Sequence, residues 1–324
     1  MDYIQFASNL PPDRTITFGS AEENEEVMKR WGVKQEMRQL GTGSYRSDLA
    51  VLTTEEAELY VDRFSKAVSM ELEPPAGTVG ILFPRSASGQ FLACGQDVGN
   101  EKLIVTPDGS GVDIVIPDLA GSEAITLSKA RFIELTEVLA PTYDRQQGLA
   151  VIEGNMARMD ALRQAVIRLV AQPELEANAE QLSSLLAATV LFITDSPRQG
   201  ARSENLHAPG TRRRVAKRAQ AYIDGHYRQS VRMEDLCRET GVGVRTLQRS
   251  FRQYFDFTIS DYVKTVRLNA TLRELTAAHH AENSVTEIAM RNGCTHLGRF
   301  SIEFRRRFGY SPKQTLEKRA SQKS

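Results

Sequence analysis

The chain has 324 residues, 41% of them hydrophobic, which exceeds the length at which one hydrophobic core usually stops growing, so two or more domains are expected. No stretch reaches the ~20 uninterrupted apolar residues of a membrane helix and the opening residues lack a basic-then-apolar signal pattern, so a cytoplasmic location without a membrane partner is expected. The formal net charge of zero conceals a division: residues 212–324 hold 23 Lys and Arg against 11 Asp and Glu, the rest 18 against 30, so only one end suits a polyanion.

Residues 1–127 carry short apolar runs broken by Gly and Pro: TVGILFP (78–84), QFLACG (90–95), KLIVTPDGSG (102–111), VDIVIP (112–117) and EAITLS (123–128). Short strands and tight turns produce this rhythm, and a β-rich domain is expected. Within it, TTEEAELYVDRFSKAVSM offers Thr53 or Thr54 as a helix cap and Leu59, Phe64 and Val68 near helical spacing, while strand pairing fits as well. Cys94, Cys237 and Cys294 lie far apart, without a paired motif, and no His precedes His207. Such residues build neither a disulfide framework nor an ordinary metal cluster, and no catalytic residue, metal or cofactor is expected. An enzyme carrying an appended polyanion-binding domain would need a metal-bound cysteine cluster or a reactive Cys/His pair, and Cys94 alone does not supply one.

From about residue 128 the period changes. FIELTEVL, MARMDALRQAVIRLVA and AEQLSSLLAATVLFI place apolar residues at three-to-four spacing, as helices do. They are more apolar than a lone surface helix requires, so 128–195 reads as a dimerisation segment and the chain as a homodimer. The polar stretch 196–211, with Pro, Gly and Ser, reads as a linker.

The basic end contains an internal repeat. In MEDLCRETGVGVRTLQRSFRQYF (233–255) a short helix ends at Gly241 and a second begins near Val244; in SVTEIAMRNGCTHLGRFSIEFRRRFG (284–309) the corresponding points are Gly293 and His296. Leu236 matches Ile288, Leu247 matches Phe300 and Phe251 matches Phe304. A glycine there supplies the positive φ for a sharp turn between helices. Each second helix then divides into two faces, with Leu247, Phe251 and Phe255 inward in one copy and Phe300, Phe304 and Phe308 inward in the other. Outward from the first lie Arg245, Gln248, Arg249 and Arg252, at i, i+3, i+4 and i+7. Arg can make paired hydrogen bonds to guanine and Gln to adenine, and either can hold phosphate. Between the copies, TISDYVKTVRLNATLRELTAAH (258–279) reads as one long helix holding two helix-turn-helix units at fixed separation.

On the residues LCRETGVGVRTLQRSFRQYF, DYVKTVRLNATLREL and EIAMRNGCTHLGRFSIEFRRRFGYSP, the segment 212–324 resembles the DNA-binding domain of the AraC/XylS family of bacterial transcription regulators. The resemblance covers about a third of the chain. It implies base reading by Arg245, Gln248 and Arg249. Gly243 stands where the family commonly has a capping Ser, Cys294 where it has Phe, and Thr315-Leu316 where it has Tyr-Arg. In the second copy Leu297, Gly298 and Ile302 occupy positions often used for bases, which leaves Arg299, Arg305 and Arg306 for phosphate and His296 for an additional contact. The amino-terminal part is similar to the cupin-like barrels that precede such domains.

The implied class is α+β, in four parts. A cupin-like sensor domain (1–127) is followed by the helical dimerisation segment (128–195), the linker (196–211) and the all-α tandem helix-turn-helix domain (212–324). The implied function is a transcription regulator, more commonly an activator in this family, acting on double-stranded promoter DNA with RNA polymerase as partner. A small molecule is sensed by the first domain; the alternative is a regulator whose first domain only dimerises.

Overall fold

The computed structural model describes residues 3–316 except 9, 88, 107, 109–110, 142–149, 173–177, 196–210 and 278–283. The expected linker therefore lies, apart from Thr211, outside the described residues. Two units are distinguished, Met1–Met37 with Arg46–Ala208, and Arg38–Tyr45 with Pro209–Ser324.

The first unit begins with α1 (Tyr3–Ala7), β1 (Thr15–Phe18), α2 (Ala21–Arg30), β2 (Lys34–Gln39, whose last two residues belong to the second unit), β3 (Ser47–Thr53), β4 (Ala57–Phe64) and β5 (Val68–Glu73). It continues through β6 (Thr78–Ser86), β7 (Leu92–Ala93), β8 (Gln96–Asp97), β9 (Lys102–Thr106), β10 (Val112–Ile116) and β11 (Ala120–Ser128). It ends with α3 (Lys129–Leu139), β12 (Ala150–Glu153), α4 (Met156–Ala171) and α5 (Asn178–Asp195). Among the described residues the strands form a seven-stranded sheet, β1-β3-β4-β11-β6-β9-β12, and a five-stranded sheet, β2-β5-β10-β7-β8. The helical option at 53–70 is thereby replaced by β4 and β5. Its residues alternate, with Leu59 and Val61 in the core on one face and Glu58, Tyr60 and Asp62 on the other, a period of two that a helix cannot satisfy. Thr54 caps no helix. Its hydroxyl closes the β3–β4 turn, donating to the Ala57 carbonyl and accepting from the Ala57 amide.

The helices expected from residue 128 are present, and their apolar faces serve this unit's own core. Met159, Leu162, Val166 and Val170 of α4, and Leu182, Leu186, Val190 and Phe192 of α5, cluster with Leu59, Ile81, Phe83 and Ile125 of the large sheet. Burying each such side chain contributes about 1.5–3 kcal/mol. Their excess of apolar residues is thus met within the chain. Beneath α4, Arg63 donates to Glu123 across 2.5 Å with both side chains wholly inaccessible, and Arg85 and Arg163 stand 3.7 and 3.8 Å from the same carboxylate. Burial lowers the Arg163 pKa, while Asp160 and Glu123 oppose that shift.

The second unit contains α6 (Thr211–His226), α7 (Met233–Thr240), α8 (Val244–Phe255), α9 (Ile259–Ala277), α10 (Val285–Arg291) and α11 (Leu297–Phe308). The helix boundaries read from the repeat agree with these spans, because the signals are local. Gly241 takes φ 71° and Gly293 φ 79°, conformations that cost an L side chain roughly 1–2 kcal/mol. Phe251, Phe255 and Tyr262 stack around the first copy, with ring centroids 4.7–5.5 Å apart. Phe300, Phe304 and Phe308 gather with Leu268, Leu272 and Ile288 around the second. The long α9 contributes to both.

Residues 38–45 complete this unit. Arg38 pairs with Asp224 of α6 at 3.3 Å and donates to the Tyr262 hydroxyl at 2.8 Å. The Asn269 side-chain amide accepts from the Gln39 amide and donates to the Gln39 carbonyl, imitating a strand neighbour. The Gln39 side chain donates to the Arg307 carbonyl at 2.6 Å, and the Gly43 amide reaches the Arg306 and Arg307 carbonyls. These are among the last carbonyls of α11, which the helix itself leaves without partners.

Candidate nucleic-acid interface

The turn from α7 to α8 is built from Gly241, which caps α7 in the left-handed conformation, and Gly243, the extended N-cap of α8, which has no side chain to offer. Leu247, Ser250, Phe251, Tyr254 and Phe255 bury one side of α8, so the helix cannot rotate about its axis without exposing that stripe. The opposite side presents Arg245, Gln248, Arg249 and Arg252, all exposed. None of the four side chains has a hydrogen bond or ion pair among the described residues. Three guanidiniums and one amide on a single face, with every donor facing solvent, form a surface able to meet base edges and phosphates together.

The second copy differs. At α10, Ser284 and Glu287 form a reciprocal cap, and the backbone hydrogen bond from Ser284 holds the Glu287 carboxyl below its ordinary range. At α11, His296 occupies the N-cap position without capping through its side chain. His296, Arg299, Arg305 and Arg306 are exposed, as expected, and Ile302 is 71% exposed between them. Arg299 is engaged by Glu303 at 2.9 Å, and Glu303 is also reached by Lys264 of α9 at 3.5 Å. The side chains of Arg305 and Arg306 have no partner among the described residues. The third arginine of that run, Arg307, turns inward to donate to the Thr265 hydroxyl, and burial lowers its pKa.

Between the two copies lies a cleft of about 580 Å³ that sets Ser230, Ser260, Lys264 and Arg267 beside His296 and Arg299. Sequence reasoning treated α9 as an apolar spacer and passed over Ser260, Lys264 and Arg267. Their spacing of i, i+4 and i+7 is a polar stripe that would have revealed them. Arg267 is committed to structure, donating to the carbonyls of Tyr227 and Gln229.

Residues 236–318 match a family model described as a helix-turn-helix domain. The probable thc operon regulatory protein of Rhodococcus erythropolis is 34% identical over 102 residues, 32% of this chain and 31% of that protein. The HTH-type transcriptional activator RhaS of Escherichia coli strain SE11 is 30% identical over 158 residues, 48% of this chain and 55% of that protein. The chain thus spans between about a third and about half of the length of these curated relatives. A solved structure of a probable AraC family transcriptional regulator from Rhodopseudomonas palustris CGA009 is 25% identical, covering 32% of this chain and 96% of its own, with a TM-score of 0.30.

Proposed function

We propose that this chain, whose residues 236–318 form an AraC-type helix-turn-helix domain, is a sequence-specific DNA-binding transcription regulator in which α8 is the principal base reader. The observation that carries this reading is the unpartnered quartet Arg245, Gln248, Arg249 and Arg252 on one exposed face of α8, a helix fixed by its buried aromatic side. Bidentate pairing of such side chains with base edges discriminates by about 1–3 kcal/mol per contact. On α11, Gly298 and Ile302 cannot form side-chain hydrogen bonds, so Arg299, Arg305 and Arg306 hold phosphate while Ile302 and His296 add contacts in the groove.

Activation is the mode in the name of the RhaS relative, and it enters this proposal together with RNA polymerase as partner. The amino-terminal unit senses a small molecule, a reading supported by the cavity between its two sheets. A homodimer would have to use the outer faces of α4 and α5, since their apolar faces are already buried. Sedimentation of the full chain at tens of micromolar tests this, and a monomer there removes the dimer from the proposal.

Selection of operators from a randomised duplex library, at one fixed salt concentration, tests the DNA assignment. The full chain enriches a defined sequence, and Gln248→Ala or Arg249→Ala relaxes preference at particular base pairs. Absence of any enrichment by the full chain would overturn the function. An Arg305→Ala variant that changes base preference while Arg249→Ala weakens all sequences equally would make α11 the reader.

A further inference from the structure

Superposing the repeat on itself gives each residue of the outer face of α11 a counterpart on α8. With Phe300 matching Leu247 and Phe304 matching Phe251, the positions that α8 fills with Arg245, Gln248, Arg249 and Arg252 fall on α11 to Gly298, Ser301, Ile302 and Arg305. Of the four long donors only the last is kept. Gly298 has no side chain, and the Ser301 hydroxyl donates to the Leu297 carbonyl at 3.2 Å. Ile302, in the place of Arg249, is 71% exposed. Arg299 on the same side of the helix is engaged by Glu303.

A single exposed aliphatic side chain is ordinary on a protein surface. The surroundings of Ile302 set it apart. Arg299 lies three residues before it and Arg305 and Arg306 three and four after it, so three guanidinium-bearing residues are its neighbours on the helix surface. If those arginines hold phosphate on either side of a groove, the side chain between them faces the base edges. One turn before Ile302 stands Gly298, and helix side chains lean toward the N-terminus, so Ile302 leans over that glycine. Neither packing nor backbone asks for a glycine there: a Cβ would meet nothing within 4 Å, and its φ is not in the left-handed region. The missing side chain leaves open room in front of Ile302.

We propose that Ile302, leaning over the open place at Gly298, is a specificity-determining residue that reads the C5-methyl group of a thymine in the major groove. On that edge thymine alone among the four bases presents an apolar group. The amino group of cytosine, brought against Ile302 instead, would lose water and gain no acceptor. The second helix then selects its half of the operator by apolar contact, and α8 selects the other half by hydrogen bonds. The inference rests on the reading of this chain as a DNA-binding regulator and names what its second recognition helix distinguishes.

Replacing thymine by deoxyuridine removes the methyl group and leaves every hydrogen-bonding group of the base in place. In a duplex carrying the sequence that the full chain selects, thymines are replaced one at a time on both strands and binding of the full chain is measured at one fixed salt concentration. One thymine is expected to stand out, its replacement weakening binding about three- to four-fold, the factor for one buried methyl group. Ile302→Ala is expected to bind the thymine duplex at least about three-fold more weakly and to make no distinction at that position, so that the two losses do not add. Gly298→Leu, which fills the room in front of Ile302, loses the same distinction while its unfolding midpoint does not fall, since leucine is the better helix former. Both positions are exposed, so both variants fold. Absence of any methyl-sensitive thymine, the distinction retained by Ile302→Ala or by Gly298→Leu, or an Ile302→Ala protein that binds as tightly as the unaltered one would each overturn the proposal. Normal binding by Ile302→Ala together with lost transcription by added RNA polymerase would overturn it in favour of a protein contact at Ile302. A selected sequence without a methyl-sensitive position rejects this inference alone; selection of no sequence by the unaltered chain rejects the regulator, and this inference with it.

Discussion

The two helix-turn-helix copies share an inward face and differ in nearly everything that faces out. Phe251 and Phe304 hold equivalent buried places, and Gly241 and Gly293 turn the chain with nearly the same positive φ. Outward, α8 presents four long polar side chains without partners, whereas α11 presents Gly298, an exposed Ile302 and an Arg299 already engaged by Glu303. Packing constrains the side that meets the core and is indifferent to the side that meets solvent. Two copies of one fold can therefore divide a task, and the division is legible only on the outer faces.

The sharpest test of their structural equivalence lies in the turn glycines. A Cβ at Gly241 meets nothing within 4 Å, whereas at Gly293 it lies 2.7 Å from the Tyr227 carbonyl oxygen, a backbone atom with little freedom to move. Gly241→Ala should lower stability by about 1–2 kcal/mol from backbone strain alone, and Gly293→Ala by about 2–5 kcal/mol with overpacking added. Denaturant titration of both variants measures this. Equal losses would mean that the two turns are not distinguished by their surroundings.

The functional asymmetry is tested next. Arg249→Ala or Gln248→Ala should narrow the gap between specific and random duplex by about 1–3 kcal/mol, and Arg305→Ala should leave that gap unchanged while weakening both. Fluorescence anisotropy with the selected operator and a scrambled one reads it. A smaller effect separates the helices by salt: removing Arg305 or Arg306 should reduce the slope of log affinity against log salt by about 1 each. Arg299→Ala should change it less, since Glu303 already offsets that charge. The smallest expected effect concerns the α8 cap. Gly243 has extended backbone and open space at its Cβ position, so Gly243→Ser should stabilise the unit by a few tenths of a kcal/mol, visible as a small rise in midpoint.

The repeat was readable because its signals are local: aromatic residues at four-residue spacing and glycines where a helix must stop. Helix α2 was not, although Ser20 caps it through the Glu23 amide and Lys29 and Arg30 close its last turn, because its sequence AEENEEVMKR has almost no apolar stripe. Strand β2, KQEMRQ, is polar for the same practical reason. Its Arg38 and Gln39 are buried by virtue of partners more than 200 positions away, which no window of sequence contains. The cavity was hidden likewise. Glu58 and Asp62 look like surface acids, and only the placing of a second sheet opposite β4 makes them line a cavity.

Residues 38–45 have a consequence for how the molecule is made. They leave the ribosome with 163 residues between Tyr45 and Pro209, the first residue of the remainder of their unit. At 5–20 residues per second this interval is roughly ten to thirty seconds. Throughout it Arg38 lacks Asp224 and Gln39 lacks Asn269, so these two contacts of a segment made early form only while the last third of the chain is being translated. A DNA-binding fragment begun at Arg212 never receives it, and the final carbonyls of α11 then turn to water instead of to Gln39 and Gly43.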